Sequence, residues 1–126
     1  MKLRIRGNSI RLRLTQSEIE NFGRTGLIEE TVEFGPLPRQ RLVYALASSD
    51  RAGEVFGRYD GGKITIVVPQ ATAENWASTD EVGITGEQDL GESGILRILI
   101  EKDFACLTER PFEDESDNFP NPKAEC

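Results

Sequence analysis

The sequence predicts a β-rich α+β domain, with an antiparallel, strongly curved or barrel-like sheet of about seven or eight strands and two short helices. Three observations support this fold class. Most segments alternate apolar and polar residues with the period of two that a half-buried strand requires. The connections between these segments are short enough for antiparallel neighbours. Helix signals occur at two places, and the 126 residues, of which 37% are hydrophobic, suit one domain over residues 1–126.

Two strictly alternating segments open the chain, at Lys2–Arg6 and at 10–14, and each has one apolar and one cationic face. Two arrangements fit them. A tight hairpin at Gly7-Asn8 pairs the apolar side chains well but places Arg4 opposite Arg11, and like charges that face each other destabilise paired strands. One long strand with a bulge at Gly7-Asn8 also restores a single apolar face. Both arrangements gather guanidinium groups on one side of a sheet.

The first helix is predicted to begin after Thr15, because Thr15 and Glu18 form a capping box. It is predicted to end near Arg24, since Gly23 or Gly26 can supply the left-handed residue that follows many helices.

A second short helix is predicted from Pro69 to Trp76, because proline is tolerated in the first turn of a helix. Phe22 and Trp76 are expected to fill the open ends of the sheet as core residues, although each is also a candidate platform for stacking a ligand. The remaining strands are predicted at 27–35, 41–47, 55–59, 63–68, 81–86 and 95–101, with a hairpin turn at Asp60-Gly61-Gly62. No internal repeat is visible in the sequence.

The net charge of −7 is unevenly distributed along the chain. Residues 1–13 carry five basic side chains and no acid, whereas residues 101–126 carry eight acids against three bases. The low overall pI argues against general nucleic-acid binding, which needs a basic surface. The apolar runs are too short for a membrane span, and the charges of Lys2–Arg6 interrupt the apolar core that a secretory signal requires. We therefore expect a cytoplasmic protein that does not bind membranes.

The best candidate binding site is the set of arginines in the first two strands: Arg4, Arg6, Arg11 and Arg13. Several planar, permanently charged forks on one sheet face can hold a phosphate or a carboxylate bidentately. The expected partner is a small anionic ligand, an unknown protein, or the chain's own acidic segment 102–126, which we expect to pack on the domain. The plain alternative is a solvated surface with internal ion pairs.

The sequence contains few candidate catalytic or metal-binding residues. The chain has no histidine, which excludes Ser-His-Asp and Cys-His catalysis, and its glycines form no phosphate-binding loop, so we expect no cofactor. Glu113, Asp114 and Asp117 are the densest carboxylates and form a candidate metal site. Cys106 and Cys126 form a candidate redox pair. The alternative is that Cys106 is a small core residue and Cys126 an exposed, incidental one.

Four stretches of the chain together resemble a known family. They are the opening segment 2–15, the pair Asn75-Trp76 before Glu81-Val82-Gly83, residues 99–104 with Cys106-Leu107, and the closing Glu113-Asp114, Ser116-Asp117-Asn118, Asn121-Pro122 and Cys126. In these the chain resembles a family of small uncharacterised bacterial proteins, a domain of unknown function that ends in this motif. The resemblance implies a cytosolic single-domain protein without an established activity. It carries over no catalytic residue.

These observations predict a binding or interaction domain rather than an enzyme, with the arginines as the ligand surface and the acidic segment as their lid or competitor. The alternative is a small metal-dependent hydrolase of phosphate compounds that uses the carboxylates of Glu113, Asp114 and Asp117. A third hypothesis is an obligate partner of an unknown protein, which requires an exposed apolar patch or edge strand.

Overall fold

The structure, a computed structural model, describes residues 1–105 and 116–120. This part of the chain contains eight strands: β1 (Lys2–Arg6), β2 (Ser9–Leu14), β3 (Leu27–Glu33), β4 (Arg41–Ser49), β5 (Phe56–Asp60), β6 (Lys63–Pro69), β7 (Gly83–Asp89) and β8 (Ile95–Lys102). It also contains the helices α1 (Gln16–Thr25) and α2 (Gln70–Ser78), and single turns of 3₁₀ helix at Pro38–Gln40 and Gly91–Ser93. The predicted β-rich α+β class with two short helices is confirmed.

The strands form two four-stranded sheets instead of one. Sheet 1 has the order β1-β2-β8-β7, and sheet 2 has the order β3-β4-β6-β5. In each sheet the two central strands are parallel and the outer pairs are antiparallel, so the prediction of one antiparallel sheet is wrong. Over the described residues the sheets are neither closed nor strongly curled, and a barrel is not confirmed. The parallel pairs arise from the topology, because each helix carries the chain into the other sheet. Strand β2 therefore pairs with the remote strand β8, while β6 pairs with β4, from which only β5 separates it in the sequence.

The first two strands form the tight hairpin rather than one bulged strand. Leu3 lies opposite Leu12, and Arg4 lies opposite Arg11. Gly7 occupies the turn with a φ of 55°, a conformation that glycine adopts easily. The row of like charges is accommodated because the parallel partner of β2 supplies an acid, Glu101, from β8.

Both helices pack into one hydrophobic core. Thr15 caps α1 as predicted: its hydroxyl accepts from the backbone of Glu18, and the Glu18 carboxylate accepts from the backbone N–H of Thr15 at 2.9 Å. Phe22 on α1 and Trp76 on α2 are 2% and 0% exposed. The indole N–H of Trp76 donates to the carbonyl of Val82 at 3.2 Å. The predicted core role of both aromatic residues is therefore confirmed.

The fold consists of two equivalent halves, each with the order strand, strand, helix, strand, strand. The elements β1, β2, α1, β3 and β4 correspond to β5, β6, α2, β7 and β8. Each sheet combines the first hairpin of one half with the second hairpin of the other half. The registers agree as well: Leu3 pairs with Leu12 as Gly57 pairs with Ile66, and the two central parallel pairs match in the same way. The shared topology and registers indicate an internal duplication.

The duplication leaves a faint trace in the sequence. Equivalent residues of the first hairpin and helix lie 54 positions apart, and the identical pairs are Arg4 and Arg58, Gly7 and Gly61, Ile10 and Ile64, Gln16 and Gln70, Glu20 and Glu74, Asn21 and Asn75, and Thr25 and Thr79. The two buried aromatic residues, Phe22 and Trp76, are also equivalent. The expectation that the chain has no internal repeat was therefore wrong.

The α-amine of Met1 is held by carboxylates from α1 and β3. It donates to Glu18 and, at 3.0 Å, to Glu30, whose other oxygen accepts from the Tyr44 hydroxyl at 2.6 Å. Burial disfavours the charged amine, but its hydrogen bonds to Glu18 and Glu30 and their negative charge outweigh burial and raise the pKa of the amine. The hydrogen bond to Glu30 is the main reason that the pKa of Tyr44 is raised to about 12.

The domain is expected to lose stability as the pH rises above 8.0, the ordinary pKa of the Met1 amine. Because the folded state raises the pKa of the Met1 amine above its ordinary value of 8.0, the stabilisation is fully present below that pH and is lost as the pH rises through the folded-state pKa. Urea unfolding at a series of pH values on both sides of 8.0 measures this loss. In Glu30→Gln the profile should be flatter. An unchanged profile in that variant would contradict the assignment.

Candidate anion-binding site

The outward face of sheet 1 collects most of its charged side chains. Leu12, Ile98 and Ile100 are buried in the core, so the alternation of each strand turns the intervening residues away from it. The registers then place three rows across β1, β2, β8 and β7: Lys2, Arg13, Glu101, Gly83; Arg4, Arg11, Leu99, Thr85; and Arg6, Ser9, Arg97, Glu87. We call this surface the arginine face.

Glu101 lies between two arginines of the arginine face. Its Oε1 atom is 2.8 Å from Nε of Arg11 and 2.5 Å from Nε of Arg13. The three side chains are only 10%, 17% and 7% exposed for Arg11, Arg13 and Glu101. The carboxylate of Glu101 therefore contacts two guanidinium groups in a largely desolvated place, and the contacts of this triad help to fix the positions of both arginines.

An open groove of about 530 Å³ runs along the arginine face. The described residues that line it are Arg4, Arg6, Ser9, Ile10, Arg11, Thr85, Gly86, Glu87, Arg97, Ile98 and Leu99. Three of the four predicted arginines therefore lie together at one groove. The fourth, Arg13, is not among these lining residues and contacts Glu101 instead.

Sequence reasoning missed four polar residues of the groove: Ser9, Thr85, Glu87 and Arg97. Ser9 and Arg97 lie in the third row, where Ser9 is next to Arg6 on one side and Arg97 on the other. Arg97 comes from β8, which is remote in sequence and joins β2 through a parallel pairing. A signal was present, because Arg97 is a charged residue inside the apolar run of β8, and such a residue must face away from the core.

The groove is suited to a negatively charged group. Its guanidinium groups come from three strands, and they are the side chains of Arg4, Arg6, Arg11 and Arg97. The carboxylate of Glu87 on the far wall neutralises little of this charge, because it lies 3.8 Å from Arg97 and both side chains are about two-thirds exposed. Ser9 donates its hydroxyl to the carbonyl of Arg6 at 2.6 Å, which holds the hairpin turn beside the groove. Arginine forks in such a cluster can bind a carboxylate or phosphate through paired hydrogen bonds.

Comparison with known proteins identifies a family but no function. The model of a family of unknown function, DUF7009, matches residues 1–123. The chain belongs to DUF7009. No curated protein and no solved structure matches it. The resemblance to a domain of unknown function is confirmed, while the bacterial source and the closing motif of this DUF7009 protein stay predictions.

The other predicted sites of the DUF7009 chain fall mostly outside the described residues. Glu113, Asp114, Cys106 and Cys126 lie there, whereas Asp117 is described and exposed. Within residues 1–105 and 116–120 there is no group of three or more side chains that could hold a metal ion. The metal site, the redox pair and the hydrolase alternative therefore stay predictions.

No helix in the described part of the DUF7009 chain is long and apolar enough to cross a membrane. The cytoplasmic location stays a prediction.

Proposed function

We propose that this DUF7009 chain is a binding module for an anionic ligand, and that the negatively charged group of the ligand sits among Arg4, Arg6, Arg11 and Arg97. The observation that carries the proposal is the convergence of these four guanidinium groups, from three different strands, on one groove. A groove of this size is in the range of small-molecule sites.

The cluster is asymmetric in a way that favours an external ligand at one end. At the end near the helices, Glu101 already engages Arg11 and Arg13. At the end near the hairpin turns, Arg6 and Arg97 are exposed, and the nearby carboxylate of Glu87 is a weak, exposed partner of Arg97. The row that contains Arg6, Ser9 and Arg97 is therefore the natural place for the charged group of a ligand.

The acidic segment 102–126 is proposed as an internal competitor for the same groove. The segment follows directly after β8, which is one of the strands of the arginine face. At the edge of that face, a carboxylate oxygen of Asp103 lies 2.8 Å from Nζ of Lys2. In the full chain, neutralising the carboxylates of residues 113–117 is expected to tighten anion binding several-fold, because a negative competitor is removed. An unchanged affinity would contradict the competitor role without contradicting the groove.

Arg4→Gln is expected to weaken anion binding about tenfold, because one charge-assisted hydrogen-bonding fork is removed from the groove. The matched control is Arg58→Gln, since Arg58 is exposed and occupies the equivalent position on β5 of sheet 2. Titration with inorganic phosphate and with citrate, followed by NMR at low ionic strength, measures both variants under the same conditions.

Two results would contradict the proposed function. One is that neither anion binds the wild-type chain. The other is that Arg58→Gln weakens binding as much as Arg4→Gln, which would show a general charge effect instead of a site.

A further inference from the structure

We propose that the groove binds an organic anion with an apolar body, and that Leu99 contacts this body while the arginines hold the charged group. This inference rests on the proposed function, and it narrows the ligand to a class: a carboxylate or phosphate monoester attached to an aryl ring or a short acyl chain. An inorganic anion would use the arginines but leave the leucine in water.

Leu99 is the residue that the charge pattern of the arginine face does not explain. On β8, the outward positions on either side of it are charged, Arg97 and Glu101. Leu99 itself lies in the middle row, with Arg11 on one side and Thr85 on the other. It is half-buried and lines the groove. An apolar side chain at the centre of a basic groove gives a ligand a second, non-ionic contact.

The equivalent face of sheet 2 serves as an internal comparison, and its central residues Ala45 and Thr65 are buried. The registers place Ala45 where sheet 1 has Leu99, Val43 where it has Arg97, and Thr65 where it has Arg11. Lys63 and Glu29 form a 2.9 Å ion pair that bridges across β4 on this surface. The duplication thus supplied two equivalent faces, and the leucine occurs together with the arginine cluster on one of them. One ligand per chain is therefore expected.

The expected gain in affinity follows from the apolar surface that the ligand would cover. An aryl ring that packs on Leu99 removes apolar surface of both the ring and the leucine from water, and this burial is expected to raise the affinity roughly tenfold. The arginine forks can donate hydrogen bonds to the oxygens of a free and of an esterified phosphate group alike. The apolar contact and the ionic contact are therefore separable by mutation.

The test titrates the full chain with inorganic phosphate, phenyl phosphate and benzoate by NMR and calorimetry. We expect phenyl phosphate to bind about tenfold more tightly than inorganic phosphate, with one molecule per chain. Leu99→Ala should remove most of this difference and leave the affinity for inorganic phosphate unchanged. Arg6→Gln should weaken both phosphates. Ile95→Ala is the matched control, because Ile95 is 40% exposed on the same face but is not among the described residues that line the groove.

The possible results separate the two proposals. Equal affinities for phenyl phosphate and inorganic phosphate would overturn this inference and leave the proposed function standing. If Leu99→Ala weakens both phosphates equally, the leucine acts on the structure and not on the ligand, and the inference is overturned. If benzoate binds with the same dependence on Leu99 while the phosphates do not bind, the inference is supported with a carboxylate as the charged group. Binding of none of the three would overturn the proposed function itself.

Discussion

Trp76→Ala is expected to destabilise the domain by about 4 kcal/mol, a large part of the total stability of a domain of this size. Trp76 is completely buried, and its ring lies in the hydrophobic core that both sheets and both helices share. Truncation to alanine leaves a cavity that a close-packed core fills only in part. It also removes the indole donor from the carbonyl of Val82. Both effects act in the same direction.

Urea unfolding followed by far-UV circular dichroism measures this loss, since Trp76 is the single tryptophan and its fluorescence is absent from the variant. Trp76→Phe keeps an aromatic ring but loses the hydrogen bond, and a smaller loss of about 1 to 2 kcal/mol is expected. Phe22→Ala removes the equivalent aromatic of the first half and should destabilise by about 3 kcal/mol. Tyr59→Ala is the surface control, because Tyr59 is 71% exposed. Equal effects of Trp76→Ala and Tyr59→Ala would refute the core role.

Local elements were predictable because their signals lie in adjacent residues. The capping box of Thr15 and Glu18 needs only four residues to be recognised, and α1 begins where it predicts. The strands were predictable from their alternation, and the glycine turn at Gly61 from its backbone freedom. These features depend on short-range sterics and on which side of each segment is apolar.

The arrangement of the strands could not be predicted in the same way. The pairing of β2 with β8 joins residues such as Ser9 and Arg97, which are far apart in the sequence. Alternation shows which residues of a strand lie on each face, but it does not show which strands pair with it. Two parallel strands are also not joined by a tight turn, so no turn motif in the sequence indicates their pairing. The duplication was missed for a related reason. Its identities are scattered over many positions, while the hydrogen-bond register, which is the same in the first hairpin of both halves, has no direct trace in the sequence.

The candidate site shows the same division between local and distant information. Arg4, Arg6 and Arg11 were predictable because they belong to one hairpin, whose alternation puts them on one face. It was not predictable that Arg97 lines the groove while Arg13 contacts Glu101 instead. Both facts depend on the pairing of β8, which carries Arg97 and Glu101, with β2. Glu101 explains why the hairpin tolerates opposed arginines: the neutralising acid comes from the neighbouring parallel strand.

Glu101→Gln is expected to destabilise the domain by about 3 kcal/mol and to lower the thermal midpoint by roughly 10 °C. The substitution preserves the volume of the side chain but removes its charge, so Arg11 and Arg13 lose the carboxylate they share while they remain mostly buried. The matched control is Glu87→Gln on the same face. Glu87 is 66% exposed and lies 3.8 Å from Arg97, so a change within about 0.5 kcal/mol is expected there.

Anion titration of the same two variants gives a second measurement, in which the affinity of Glu101→Gln is expected to rise although its stability falls. In folded Glu101→Gln, the positive charge of Arg11 is no longer neutralised by its neighbour, and Arg11 lines the groove, so inorganic phosphate should bind several-fold more tightly than in the wild type. Lower stability together with higher affinity cannot arise from a damaged fold, because unfolding weakens both.

Equal and small stability losses in Glu101→Gln and Glu87→Gln would show that the triad contributes no more than a surface ion pair. A loss of affinity in Glu101→Gln would show that the carboxylate positions Arg11 for the ligand more than it neutralises it.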